Sequence, residues 1–225
     1  MEEIIPVENV KELKDKKIHR GFNGTCYITK DGEFFKLMEE PNMDTLEKLS
    51  KFSSPHFLFP KRLVYDKHGK LIGYVREYVD GDTIANIPSE FNLDKYTSEI
   101  EKIENEIAVL TNYKLHIVDA GVNNILYTND GELRIIDTDF YEPNSTISGL
   151  YAANMKNVVY SLMYPVYDIT KPMRCNRDLN VYMQRTLDGK MKPSDLIYEF
   201  AREIYLRGDY PEDSIGEFKK QVLKL

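Results

Sequence analysis

Three polar residues stand out between Leu115 and Phe140, a stretch that reads LHIVDAGVNNILYTNDGELRIIDTDF: Asp119, Asn124 and Asp137. The residues after Asn124 read as a short hairpin. Ile125 to Tyr127 form one strand, Asn129-Asp130-Gly131 the turn, and Leu133 to Ile136 the return strand. A hairpin of this length sets Asn124 and Asp137 side by side at its open end, with Asp119 one loop upstream. Carboxylates gathered in this way repel one another unless a cation joins them. An all-oxygen donor set of two carboxylates and an amide suits Mg²⁺, which takes one or two carboxylates and completes its shell with phosphate and water.

The elements that must carry these residues follow from the hydrophobic pattern. Asn92 caps a helix in which Leu93, Tyr96, Ile100, Ile103, Ile107 and Leu110 recur at steps of three and four. This helix leads directly into the Leu115–Asp119 loop. Nearer the start, Gly21-Phe22-Asn23-Gly24 has two glycines three apart, which lets a turn bring backbone N–H groups close to an anion. Cys26 to Thr29 reads as a strand, Lys30-Asp31-Gly32 as a tight turn and Glu33 to Met38 as the partner strand. Lys36 is the only basic residue on that partner strand, and Phe34, Phe35 and Leu37 around it predict an amine emerging from a partly buried surface. Before it, Val7 to Lys17 fits either a weak helix or a lead-in and first strand.

Met43 to Phe52 predicts a helix with Met43, Leu46, Leu49 and Phe52 on one face. Two strands, Phe57 to Val64 and Lys70 to Val79, flank the turn Asp66-Lys67-His68-Gly69. Residues 143–150 read as a loop. Helices are expected over Asn154 to Tyr164, Ser194 to Arg207 and Glu212 to Leu223, with Pro165, Pro172, Gly208 and Pro211 as punctuation. Strands come first and helices later, so the expected class is α+β.

The chain has 225 residues, 42% of them hydrophobic, which is enough for one large domain or two small lobes with real cores. A net charge of −7 argues against general affinity for nucleic acid or anionic membranes. No apolar run reaches membrane-spanning length, and the opening MEEIIPVENVKELKDKK lacks the apolar core of a signal peptide. The two cysteines, Cys26 and Cys175, form neither a metal motif nor a disulfide framework. A cytoplasmic location is the expectation.

The spacing of Asp119 and Asn124, the hairpin after them and its closing Asp137 resemble the catalytic core of the protein kinase-like superfamily. The glycine hairpin followed by a strand lysine is a second feature of that family. The resemblance covers about Gly21 to Phe140. It implies a bilobal fold, with a small antiparallel N-lobe over residues 1–80 and a mostly helical, reduced C-lobe over 81–225. It implies ATP and Mg²⁺ as cofactors, with Gly21, Gly24 and Lys36 on the phosphates, Asn124 and Asp137 on the metal, and Asp119 as catalytic base. A glutamate partner for Lys36 is implied as well, Glu47 with Asp44 and Glu40 as alternatives. The run Arg76-Glu77-Tyr78-Val79-Asp80-Gly81 resembles the hinge, where Glu77 and Val79 would offer backbone hydrogen bonds to the adenine edge.

Some positions depart from the family's pattern. Ile117-Val118 replace the usual His-Arg, Gly121 stands where many protein kinases have lysine, and Asp137-Thr138-Asp139 replaces Asp-Phe-Gly. No Ala-Pro-Glu stretch follows. The second acid, Asp139, is similar to the aminoglycoside and choline kinase branch, and is either an auxiliary metal ligand or a cap. Three readings result: a kinase acting on serine or threonine hydroxyls of a protein, a small-molecule kinase, and a non-catalytic nucleotide-binding module. The first is the leading expectation.

Overall fold

The computed structural model describes residues 5–6, 14–21, 23–173 and 176–225. Among them the protein is α+β, with nine strands in two sheets and six α-helices. The larger sheet comprises β1 (Ile5–Pro6), β2 (Lys16–Gly21), β3 (Gly24–Ile28), β4 (Glu33–Met38), β5 (Arg62–Tyr65) and β6 (Leu71–Glu77). Their spatial order is β1-β5-β6-β4-β3-β2, antiparallel except for the β1–β5 pair. Val7 to Leu13, most of the span read as helix or lead-in, lies outside the described residues. Its last two residues, Lys16 and Lys17, belong to β2.

β4 is central, and side-chain alternation divides its residues between two small cores. Phe34 packs with Leu46, Leu63, Leu71 and Tyr74 on one face, and Phe35 with Val64 and Val75 on the other. The register sets Lys36 opposite both Cys26 and Tyr74, and Phe34 opposite Arg76. Gly73 allows β6 to come this near: a Cβ there would lie 1.9 Å from the Lys36 carbonyl oxygen.

The segment Phe57 to Lys61 is not a strand of this sheet, and β5 begins only at Arg62. Pro60 has no N–H to give to a ladder. The segment before it turns away and borders the second sheet, where the Ile135 N–H donates to His56 O (2.7 Å) and the Leu58 N–H to Ile135 O (2.9 Å). That second sheet has the order β7 (Gly81–Thr83), β8 (Ile125–Thr128), β9 (Leu133–Ile135). Its β8–β9 hairpin is the one anticipated around Asn129-Asp130-Gly131.

Helix α1 (Met43–Leu49) is capped by Asn42, which accepts from Thr45 N at 3.0 Å, and it stops before Phe52. Helix α2 (Leu93–Asn112) is capped by Asn92, which accepts from Lys95 N at 2.8 Å. Its six periodic residues are all buried, and each contributes roughly 1.5–3 kcal/mol relative to exposure. Helix α3 (Leu150–Met163) begins four residues before Asn154, following Gly149 in a left-handed turn (φ 69°). Helix α4 (Arg177–Leu187) was not anticipated. It is largely polar and buries only Leu179, Met183 and Thr186, under an Asn176 cap. Helices α5 (Pro193–Leu206) and α6 (Ile215–Val222) lie where helices were expected. The largest core joins α2 to α3, α4, α5 and α6 and to the β8–β9 hairpin. Among the described residues no helix is long and apolar enough to cross a membrane.

Candidate functional site

Asp119 sits in a loop fastened from below by one face of α3. Asn154, Asn157 and Ser161 recur at steps of three and four and so share that face. Asn154 Oδ1 accepts from Ile117 N (2.8 Å) while its Nδ2 donates to Leu115 O (2.9 Å). Asn157 Nδ2 donates to Ile117 O (2.6 Å), and Ser161 Oγ to Ala120 O (2.7 Å). These bonds satisfy the loop's buried backbone and leave Asp119 at its crest in a left-handed conformation (φ 56°). Asp119 is exposed, and its carboxylate takes no hydrogen bond among the described residues. Helix residues that hold a loop backbone in this way carry no sequence signature beyond their spacing, and the sequence analysis did not single them out.

Asn124 joins the loop to the hairpin. Its Nδ2 donates to Asp119 O (2.7 Å), and its own carbonyl accepts from Ile136 N (2.8 Å), one residue before Asp137. The anticipated convergence of Asp119, Asn124 and Asp137 is therefore made by two hydrogen bonds through Asn124. Asp137, like Asp119, is left-handed (φ 63°). Non-glycine residues in this region store of order 1–3 kcal/mol, and such strain concentrates at functional sites.

Lys36 reaches this end of the hairpin from β4. Its Nζ lies 2.5 Å from Asp137 Oδ1 and 3.0 and 3.1 Å from the two oxygens of Asp139. Tyr74, beside Lys36 on β6, donates its hydroxyl to Asp139 Oδ1 at 3.1 Å. The two acids differ in exposure: the Asp139 side chain is fully buried, whereas that of Asp137 is 35% exposed. Burial works against the Lys36 charge, but Asp139 and Asp137 outweigh it and hold the ammonium pKa above its ordinary value. Burial also works against the Asp137 charge, yet Lys36 brings that carboxyl below the usual range. For Asp139 burial prevails over Lys36, with the neighbouring Asp137 charge adding to it, and its carboxyl is raised. Asp139 is thus the buried counter-ion of Lys36, a role the sequence analysis did not give it.

Glu47 does not fill that role. Lys36 makes no ion pair with Glu47, Asp44 or Glu40. Helix α1 is only two turns long and directs Leu46 and Leu49 inward, while Asp139 and Asp137 already surround Nζ. Glu47 instead lines a cavity of about 800 Å³ with Phe52, Phe59 and Glu77, to which Lys36, Asp119, Asn124 and Asp137 do not contribute.

Gly21 and Gly24 pair across the β2–β3 turn, in the sheet that carries Lys36. A Cβ on Gly24 (φ 147°) would lie 2.1 Å from Leu37 O, so the position requires glycine. Phe22, within that turn, lies outside the described residues. The Glu77 side chain pairs with Lys61 (2.9 Å), and its carbonyl accepts from Arg76 Nη1 (2.8 Å). Val79 is half-buried just before β7. Arg76 is itself buried and lies over the Phe34 ring, 3.8 Å from the centroid, and its Nε has no hydrogen-bond partner.

The donor set fits a hard cation. With Nδ2 of Asn124 engaged by Asp119 O, its Oδ1 remains as a neutral oxygen donor, and the half-exposed Asp137 carboxylate, with Oδ1 on Lys36 and Oδ2 remaining, supplies charge. Asp139, closed in by Lys36 and Tyr74, is not part of such a set. No family model matches the chain, and no curated protein matches it.

Proposed function

We propose that this protein is a Mg²⁺-dependent phosphotransferase that moves the γ-phosphoryl group of a nucleoside triphosphate to an alcohol. ATP is the donor the family resemblance implies, and a protein serine or threonine the leading acceptor. The observation that carries the reading is the meeting of Lys36 with the Asp119–Asn124–Asp137 group, drawn from two sheets. In this reading residues 1–80 and 81–225 act as two kinase-like lobes with the site between them.

Asn124 Oδ1 and Asp137 would hold Mg²⁺, which when bound neutralises charge on the phosphates. Lys36, kept protonated by Asp139, holds the phosphates in place, and the backbone of the Gly21–Gly24 turn covers them. Asp119 orients the acceptor hydroxyl and takes its proton as the new O–P bond forms and the nucleoside diphosphate leaves. Most of the rate enhancement in such a site comes from position and from charges fixed in advance. Asp139 and Gly121 also favour a second reading, a small-molecule alcohol as acceptor.

The test is thermal unfolding with nucleoside triphosphate in Mg²⁺ or in EDTA, together with label transfer from the γ-phosphate to protein or to small alcohols. A Mg²⁺-dependent rise in midpoint that is reduced in Asp137→Asn, and transfer that is abolished in Asp119→Asn, are expected. Absence of any shift with either ATP or GTP at millimolar concentration would sink the reading. Transfer to small alcohols alone would move the acceptor to the second class.

A further inference from the structure

The edge assigned to the nucleobase carries a cationic donor beside the carbonyl that adenine would use. Adenine carries an amino group at its 6-position, a donor, whereas guanine and hypoxanthine carry an oxygen there, an acceptor. The family resemblance makes the Glu77 carbonyl a backbone acceptor for the adenine edge. In this protein that carbonyl already accepts from Arg76 Nη1 at 2.8 Å. The group placed beside it is a guanidinium, which has five N–H donors and no acceptor.

Several observations fix the guanidinium there. Arg76 stands opposite Phe34 in the β4–β6 register, as Tyr74 stands opposite Lys36, so both pairs belong to the sheet face that carries the Lys36 amine. Its guanidinium lies over the Phe34 ring at 3.8 Å, and the residue is only 4% exposed. No carboxylate forms an ion pair with it among the described residues. Its Nε is buried and without a partner, a donor whose desolvation is left uncompensated. Burial acts strongly enough to pull the guanidinium pKa down from its ordinary value. With Nη1 at the Glu77 carbonyl, what Arg76 brings to the base edge is an N–H donor group, which is matched by an acceptor on the ligand.

We infer that Arg76 selects the nucleobase, and that the phosphoryl donor of this site is a 6-oxopurine nucleotide of the GTP or ITP type in preference to ATP. The inference rests on the phosphotransferase reading and specifies its donor. A 6-oxo group accepts from Arg76 where a 6-amino group would set donor against donor. Sites that hydrogen-bond a polar substituent discriminate against ligands lacking it more strongly than sites that only measure size.

The experiment compares the affinities of the full chain for Mg²⁺ complexes of GTP, ITP and ATP by titration calorimetry, with wild type, Arg76→Met and Arg76→Lys. GTP and ITP are expected to bind roughly tenfold or more tightly than ATP to the wild type. ITP shares the 6-oxo group but lacks the 2-amino group, so it must side with GTP. Arg76→Met keeps an apolar chain over Phe34 and is expected to lose or reverse the preference, while Arg76→Lys retains part of it. ATP binding as well as or better than GTP and ITP would overturn the inference and leave the phosphotransferase reading standing. Binding of none of the three would remove both. The wild-type ranking decides the matter even if a substitution at Arg76 impairs folding.

Discussion

Lys36 is a buried cation held by three carboxylate oxygens, and the partner that matters most to it is Asp139. Both Asp139 oxygens contact Nζ, and Tyr74 fixes one of them from the neighbouring strand. Asp139 belongs to the same short turn as Asp137, so the buried charge partner of Lys36 and its half-exposed one move as a unit. Asp139→Asn removes the buried charge without changing the shape. The ammonium then keeps its desolvation penalty and loses its first source of stabilisation. Lys36 is therefore expected to become reactive towards amine labels at a distinctly lower pH in Asp139→Asn than in wild type, as read from a pH profile of site-resolved labelling. Tyr74→Phe deletes a single hydrogen bond, and a smaller move in the same direction is expected, of about 0.5–1.5 kcal/mol. An unchanged labelling profile in both variants would show that Asp139 does not set the state of Lys36.

At the scale of elements, the Leu115–Ala120 loop depends on α3. Protein kinases commonly precede the catalytic aspartate with His-Arg, whereas this chain has Ile117-Val118. In their absence Asn154, Asn157 and Ser161 bind the loop backbone directly. Asn154 is completely buried, and besides the loop it donates to Thr111 Oγ1 (2.9 Å), which ties α2 to α3. Asn154→Ala would strand Ile117 N and Leu115 O without partners. A loss of about 2–3 kcal/mol is expected, seen as a fall in thermal midpoint of several degrees. Any phosphotransfer activity is expected to fall further than nucleotide affinity does, because the loop carries Asp119 and not the groups proposed to hold the phosphates. An equal fall in both would mean that α3 merely supports the fold.

For the whole molecule, the join between the two sheets gathers a partly buried cluster of His56, Glu99 and Glu106. His56 sits between Glu106 and Glu99, Ser54 donates to Glu106, and Glu99 also accepts from Leu133 N (3.0 Å) and Lys102 (2.5 Å). Burial would raise both glutamates, but these contacts outweigh it and hold both carboxyls below the usual range. Groups lowered in this way stabilise the fold above the unfolded carboxyl value of about 4.3, and that stability is lost as pH falls through their folded values. Glu104, which accepts from Ser194 N and Oγ at the start of α5, has the opposite sign: burial raises it, and protonation favours the fold. The thermal midpoint of the wild type is expected to fall below about pH 4. Glu106→Gln is expected to have a lower plateau at neutral pH and a shallower acid limb, and an acid limb as steep as the wild type's would place the acid-sensitive group elsewhere.

How much of this was legible in the sequence depended on the range of the interactions. Both hairpins and α2 follow from local turn chemistry and from apolar periodicity, and Asp119, Asn124, Asp137 and Lys36 fall where spacing put them. Glu47 lies on the helix nearest Lys36 in sequence, but α1 is too short to present it and Asp139, far along the chain, already holds the ammonium. The departure of Phe57 to Phe59 from the first sheet turned on Pro60 and on a partner strand that no local pattern reveals. Helix α4 buries too few apolar residues to register as a stripe.

The pairing of Phe57 with Ile135 has a consequence for how the protein is made. The two residues are far apart in the chain, and contacts of that kind form late because a large loop must close first. As synthesis proceeds from the N-terminus, the strands that carry Lys36 are complete well before β9 leaves the ribosome. Until then the His56–Leu58 backbone lacks its partner, and Lys36 faces no counter-ion. The buried lysine gains both when the hairpin docks, so the site is assembled in the step that joins the two sheets.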